Sequence, residues 1–253
     1  MKLQDILFSQ GFGTRYDCAH IVEAGAVSID GEEKTNPLED FELEGLVLTV
    51  HGEEWPYHEQ VIIAMNKPAG YECSLKPSAN PSIMSLLPSP LRRRNTQPVG
   101  RLDVDTTGLL IFTDAGALLH RLIHPKRHVA KRYVVTCKHP VQEAMFKTLL
   151  GGVKLIDEEK PVKAIEAVPV DEHTFEMVLT QGKYHQVKRM VAACSNRVEK
   201  LHRVGFGKFT LPESLAPGEW IWLTQSDILW LDEEDDTGQG INYEKTTTGK
   251  LFK

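Results

Sequence analysis

Residues 100–108 read Gly-Arg-Leu-Asp-Val-Asp-Thr-Thr-Gly and lead straight into the apolar run Leu109-Leu110-Ile111-Phe112-Thr113. The residues ahead of them, Gln97-Pro98-Val99, read as loop. The chain therefore carries an arginine, two carboxylates and two hydroxyls on a loop that enters a strand, not on one that leaves a strand. An acid held close to a cation can serve as nucleophile or general base once a fold buries it. From the nonapeptide alone either carboxylate, Asp103 or Asp105, could be the reactive one.

The periodicities around this loop predict the fold class. Leu3, Ile6 and Leu7 have helical spacing, and Gly11-Phe12-Gly13 ends that helix. Thr14 with Asp17 approximates a capping box for a second helix, closed by Gly25. Strands are predicted at 26–29 and 46–50, with Asp30-Gly31 as a hairpin turn. Residues 54–60 read as a polar linker. Val61 to Met65 reads as a buried strand ended by Asn66-Lys67-Pro68-Ala69-Gly70-Tyr71. The Ser- and Pro-rich stretch 74–98 reads as loop, with a short helical stretch near 83–87. After residue 108, strands are predicted at 109–113, 131–137, 162–170, 174–180, 197–203, 206–211 and 219–223. Helices are predicted at 117–123, 141–150 and 185–194. In the last, Val187, Met190, Val191 and Cys194 form an apolar face opposite His185, Lys188 and Arg189. Strands and helices mix without regular βαβ alternation. The class is α+β, with a mainly antiparallel mixed sheet flanked by helices. The expected domains are 1–53, then 61–231, followed by an acidic tail at 232–253 expected to be disordered.

At 253 residues with 41% hydrophobic side chains, the chain can bury a core without staples. No apolar run approaches the roughly 18–20 residues of a membrane span, and no secretory h-region follows Met1, so a cytoplasmic protein without membrane attachment is expected. Cys18, Cys73, Cys137 and Cys194 are far apart and lack metal-ligand spacing, so reduced thiols are expected rather than zinc or disulfides. The histidines at 120, 124 and 128 lack a carboxylate or cysteine to complete a metal set. The net charge of −6 is unevenly distributed. Residues 1–60 hold 3 basic and 13 acidic side chains, residues 92–132 hold 9 and 3, and residues 182–208 hold 7 and 1. Such asymmetry points to a local polyanion site. Arg92, Arg93, Arg94, Lys126 and Arg127 are its candidate phosphate contacts.

Asp103-Val104-Asp105-Thr106-Thr107 resembles the start of haloacid-dehalogenase-type phosphatases. Those need a hydrophobic strand before the first Asp and a parallel sheet, and here the strand comes after. The wider pattern resembles the RsuA branch of pseudouridine synthases. Gly100 to Leu109 matches its signature and Asn66 to Tyr71 its first motif. Lys131-Arg132-Tyr133 matches its Lys-x-Tyr strand, and Gly182 to Met190 its late helix. Leu201-His202-Arg203 to Gly205 and Leu215 to Trp220 match its closing strands. Thr14-Arg15 and Gly25 to Gly31 resemble an S4-like RNA-binding domain, although Arg15 is nearly its only basic residue.

The resemblance implies an enzyme that detaches uracil from its sugar at nitrogen, turns it and rejoins it through carbon, with no external cofactor. It assigns the reactive carboxylate to Asp103 and leaves Asp105 as loop support. Arg101 would hold the strand or fill the gap while the base is flipped out. Tyr133 would face the extruded uracil. Lys188 would keep Asp103 ionised despite burial. Lys131, His185, Gln186 and Arg189 join the RNA-binding set. Singly, a strand tyrosine is usually core, a helix lysine usually solvated and Arg-x-Asp usually a local ion pair. It is their ordered coincidence that argues for function. The implied substrate is one uridine of small-subunit (16S) ribosomal RNA, by resemblance uridine 516, met as RNA or as the assembling subunit by a monomeric enzyme. Large-subunit RNA is the alternative target. A non-catalytic ribosome-assembly factor is the alternative of another class.

Overall fold

The computed structural model describes residues 1–232. The acidic tail predicted from 232 lies, apart from its first residue, outside the described residues. The chain divides into two compact units, residues 1–61 with 84–97, and residues 62–83 with 98 onward.

The first unit begins with α1 (Leu3–Ser9) and α2 (Arg15–Glu23). The capping box is present: Thr14 Oγ1 accepts from the Asp17 amide at 3.1 Å, and the Asp17 carboxylate accepts from the Thr14 amide at 2.8 Å. These contacts satisfy two otherwise orphaned amides and start the helix at this point. Four short strands follow: β1 (Val27–Ile29), β2 (Glu32–Lys34), β3 (Val47–Val50) and β4 (Glu53–Pro56). They pair antiparallel in the order β2-β1-β3-β4. Asp30 and Gly31 both have positive φ, as a tight hairpin turn needs. The predicted linker begins too early, because Trp55 is buried and β4 pairs along β3.

The chain enters the second unit as β5 (Ile62–Lys67) and returns to the first as α3 (Ser89–Arg93). Two predictions change here. Asn66 and Lys67 continue the strand instead of ending it. The Arg92-Arg93-Arg94 run is helical, capped by Arg94, and not loop. Pro90 at the start of α3 explains the helix, since its fixed φ suits the first turn.

The remaining elements are β6 (Gln97–Pro98), β7 (Thr107–Thr113), α4 (Gly116–Ile123), β8 (Lys131–Cys137), α5 (Glu143–Gly151), β9 (Glu166–Pro169), β10 (Thr174–Leu179), α6 (Gln186–Ala193), β11 (Val198–Phe206), β12 (Phe209–Thr210), β13 (Trp220–Trp222) and α7 (Gln225–Asp232). Their sheet runs β13-β5-β7-β11-β8-β10-β9, with β12 beside β11. Along this order pairing is antiparallel except between β11 and β7, so the sheet is mixed. The strand predicted at 197–203 runs on to Phe206 as β11, which bulges twice against β8, and the one predicted at 206–211 holds the two-residue β12. Helix α7 was not foreseen. Its Leu231 packs into the apolar layer of Ile62, Ala64, Leu109, Ile111 and Phe206. Among the described residues no helix is long and apolar enough to cross a membrane. All four cysteines are free thiols.

Candidate active site

The loop at 100–106 is gripped from beneath by one lysine. Lys67 is fully buried, and its ammonium donates to the carbonyls of Pro68 (3.0 Å), Asp103 (3.1 Å), Val104 (3.3 Å) and Thr106 (2.9 Å). Burial pushes its pKa down, partly offset by the negative charges nearby, including Asp105 and Asp103. The Gly70 amide donates to the Val104 carbonyl at 2.8 Å, and the Thr106 amide closes back on the Asp103 carbonyl at 3.1 Å. At the far end Gly108 has φ +101°, and a Cβ there would lie 2.2 Å from the Arg203 carbonyl oxygen. Only glycine lets β7 and β11 approach this closely.

Helix α6 supplies the charges that face the loop. Lys188 Nζ lies 3.0 Å from Asp103 Oδ2 and 2.6 Å from Asp105 Oδ1. His185, in the left-handed region at φ 48°, places Nε2 3.3 Å from Asp103 Oδ1 and stacks on Tyr184. One ammonium thus bridges two carboxylates, where the sequence reading had paired Lys188 with Asp103 alone. The bridge removes the repulsion that would otherwise make one carboxyl hold its proton. Burial works against ionisation of Asp105, but the Lys188 hydrogen bond and charge hold its carboxyl below the usual range. Burial likewise works against the Lys188 ammonium, and the two carboxylates outweigh it and raise its pKa. Side-chain exposure is 29% for Asp103 and 72% for Asp105. Asp103 is therefore half-buried rather than enclosed.

Both groups border a cleft of about 1040 Å³ in the second unit. Strand alternation aims Lys131 and Tyr133 of β8 into it, while Arg132 between them faces the other side and pairs with Glu166 and Glu176. Opposite, Arg203 is in register with Tyr133 and Phe206 with Lys131. An extra residue in β11 between them makes this possible, since an odd offset would otherwise send Arg203 and Phe206 to opposite faces. Arg203 is 2% exposed, and its Nε donates to the Leu109 carbonyl at 2.7 Å. Burial and the Arg203 charge push the Lys131 ammonium down to about 8.

This geometry, a carboxylate loop bridged to a basic helix beside a tyrosine-lined cleft, stands in a chain whose residues 61–193 match the family model described as RNA pseudouridylate synthase. The chain belongs to the pseudouridine synthase family. It is 36% identical over 236 residues to an uncharacterized RNA pseudouridine synthase, YtzG, of Bacillus subtilis, covering 92% of this chain and 99% of that one. It is 38% identical to the ribosomal small subunit pseudouridine synthase A of Haemophilus influenzae, covering 90% and 98%. The corresponding protein of Escherichia coli K12 is 33% identical, with the same coverages. A crystal structure titled pseudouridylate synthase superposes with a TM-score of 0.65 at 35% identity, covering 91% of this chain and 99% of that one. The chain is an RNA-modifying isomerase.

The synthase brings together Asp103, Tyr133, Lys188, Lys131, His185 and Arg101 around the cleft, with Arg101 exposed at its border. The other predicted RNA contacts are placed differently. Gln186 is buried, accepts from the Lys183 amide at 2.9 Å and points its amide at Met190 Sδ, so it shapes the helix start. Arg189 pairs with Asp157 and donates to the Tyr184 carbonyl. Lys126 and Arg127 are exposed on a turn whose neighbours His124, Pro125 and His128 line the cleft. Arg92, Arg93 and Arg94 belong to the first unit. There Arg93 donates to the Phe12 carbonyl at 3.2 Å, while Arg94 donates to the carbonyls of His58 (2.7 Å) and Glu59 (2.6 Å) and to the Gln10 side chain (3.1 Å). Only Arg92 and Arg93 of the three are well exposed. Sequence reasoning assigned no role to Lys67 or Arg203. Lys67 read as a loop residue after the first buried strand, and Arg203 was one polar residue among several, beside Glu199, Lys200 and His202, so neither stood out. Among the described residues no three metal-ligating side chains converge.

Proposed function

We propose that this synthase converts one uridine of small-subunit (16S) ribosomal RNA to pseudouridine, at the position numbered 516, with Asp103 as the reactive carboxylate. The observation that carries the reading is the Asp103 carboxylate itself. It sits on a backbone-locked loop at the wall of a cleft, 3.0 Å from Lys188 and 3.3 Å from His185, with Tyr133 lining the same cleft. A carboxylate beside a cation can add to the sugar or the ring, or take a proton from the sugar. Tyr133 offers a flat face to the flipped base. Arg101, exposed at the border, holds the RNA strand while the base is out. Lys126 and Arg127 add phosphate contacts.

The choice of ribosomal RNA rests on the relatives named ribosomal small subunit pseudouridine synthase A. The helix pair and small sheet of the first unit support its reading as an S4-like RNA-binding module. The enzyme is proposed to work as a monomer in the cytoplasm.

The test is carbodiimide mapping of pseudouridine in RNA treated with wild type, Asp103→Asn and Asp105→Asn. Asp103→Asn is expected to abolish product while leaving RNA binding within about threefold, the loss falling in chemistry rather than affinity. Asp105→Asn is expected to keep most of the rate, because its group is largely exposed. Full activity in Asp103→Asn overturns the assignment. Product in large-subunit RNA instead overturns the target.

A further inference from the structure

Two cations lie deep in the cleft with no counter-charge among the described residues. Arg203 is 2% exposed, and its Nη2 is buried and meets no acceptor among the described residues. Lys131 is half-buried and spends one hydrogen bond on the Val129 carbonyl at 2.7 Å. Both stand over the ring of Phe206, Nζ at 5.3 Å and the guanidinium carbon at 5.6 Å from its centroid. Neither pairs with a carboxylate among the described residues, although Arg132, the strand neighbour facing the other way, has two. Burying like charges together without a partner is costly, and folds do so where a ligand supplies the missing charge.

We propose that Lys131 and Arg203 form the subsite that holds the detached uracil as an anion. The proposal rests on the reading that the flipped base lies against Tyr133. On either route in which Asp103 acts at the sugar, the C1′–N1 bond breaks and its electron pair leaves with the ring. That charge spreads over N1, O2 and O4. At C1′ the broken bond is replaced either by a bond to an Asp103 oxygen or by the C1′–C2′ double bond left when Asp103 takes the C2′ proton. The ring then turns and C5 bonds to C1′ as the Asp103 ester bond breaks or the C2′ proton returns; the C5 proton departs and N1 takes one up, so product and substrate are isomers. Donors set in advance at the place where charge develops lower that barrier. The two carbonyl oxygens also give the ring acceptors before and after it turns, so the same cations can hold it throughout.

A backbone phosphate is the other anion that RNA could offer, and depth argues against it. The ribose-phosphate chain must continue out of the cleft on both sides, so its phosphates meet the exposed cations at the border, such as Arg101 and Lys183. The base alone reaches the floor. The register supports the same assignment. Arg203 is the direct cross-strand neighbour of Tyr133, and Lys131 lies two residues from Tyr133 on one strand face.

The test compares two small-subunit RNA fragments with the full-length chain, one carrying uridine at the target and one 5-fluorouridine. Consumption of the target nucleoside is followed under single turnover at saturating RNA, with Kd measured separately. Fluorine at C5 disperses the negative charge of the departing ring, so the ring leans less on the protein. Lys131→Met is expected to slow uridine consumption about 100-fold, with Kd within about threefold and a loss about tenfold smaller on 5-fluorouridine. Arg203→Lys is expected to show the same bias toward the fluorinated substrate. The ratio of the two losses does not depend on the fraction of enzyme folded, so a weakened variant still reports. Equal losses on both substrates overturn the proposal. So does a loss confined to Kd with a salt slope lower by about 0.7–0.9, which marks a phosphate contact. Either outcome leaves the role of Asp103 standing, because that role is read from Asp103→Asn alone.

Discussion

The carboxylates at 103 and 105 differ in what surrounds them more than in what they are. Both touch Lys188 and both border the cleft, yet Asp103 also meets His185 and is 29% exposed, while Asp105 is 72% exposed. The bridge has a pH signature. The Asp105 carboxyl is held below its ordinary value, so its ionised form stabilises the fold above the unfolded pKa, and this contribution is lost as pH falls through the lowered folded value. Urea unfolding of wild type and Lys188→Met should therefore differ at pH 7, and the difference should shrink as pH falls below the ordinary aspartate value of about 3.9. A gap that stays constant across that window would remove the bridge as its source. Lys67 works in the opposite direction, since its charge is buried and its acceptors are all backbone. Lys67→Met would leave buried carbonyls unmatched, and a loss of at least about 3 kcal/mol in unfolding free energy is expected. A shift in the urea midpoint at unchanged slope measures it.

Elements turn these residues into a site, and here the sequence was only partly legible. The capping box at Thr14, the Asp30-Gly31 turn and the apolar spacing of α6 follow from local chemistry, and all three are present. The end of β5 was misplaced because Asn66 and Lys67 look like loop residues. Tertiary partners make them strand: Asn66 exchanges backbone hydrogen bonds with Glu219 and Gly218, and Lys67 finds its four carbonyls. His185, Lys188 and Arg189 share a predicted helical face, but His185 precedes the helix in the left-handed region and Arg189 turns to Asp157. The bulge in β11 left no local signal, since one extra residue in a nine-residue strand is visible only against its partner. The loop's two flanking glycines predict a sharp contrast. Gly100 has φ +76° with open space around its Cβ direction, so Gly100→Ala is expected to cost about 1–2 kcal/mol through the backbone alone. Gly108→Ala adds a collision with the Arg203 backbone and should cost more than about 4 kcal/mol or prevent folding. Thermal midpoints of the two variants decide it, and equal costs would refute the close approach.

At the scale of the whole chain, the first unit is discontinuous. Residues 84–97 return to it, and Leu91 of α3 is fully buried there. Pro90 sits so close to Gly11 that a Cβ on Gly11 would lie 2.2 Å from the Pro90 carbonyl oxygen. A truncation that removes residues 1–61 therefore strips α3 of its packing instead of releasing a clean second unit. The truncated chain is expected to bind hydrophobic dye and to unfold at lower temperature than the full chain. A midpoint equal to that of the full chain would show that 84–97 needs no partner. A linear reading of domains had placed 84–97 with the later residues because they follow one another, and contact, not order, assigns them to the first unit.

The hold that Lys67 exerts has one more consequence. It grips the loop through carbonyl oxygens alone, as a bound metal ion would, so its hydrogen bonds do not depend on which side chains the loop displays, even though carboxylates there favour its charge. Shape and reactivity at 103–106 are thereby set by different atoms. The reactive group can be exchanged, by experiment or by descent, while the mould that presents it stays as it was.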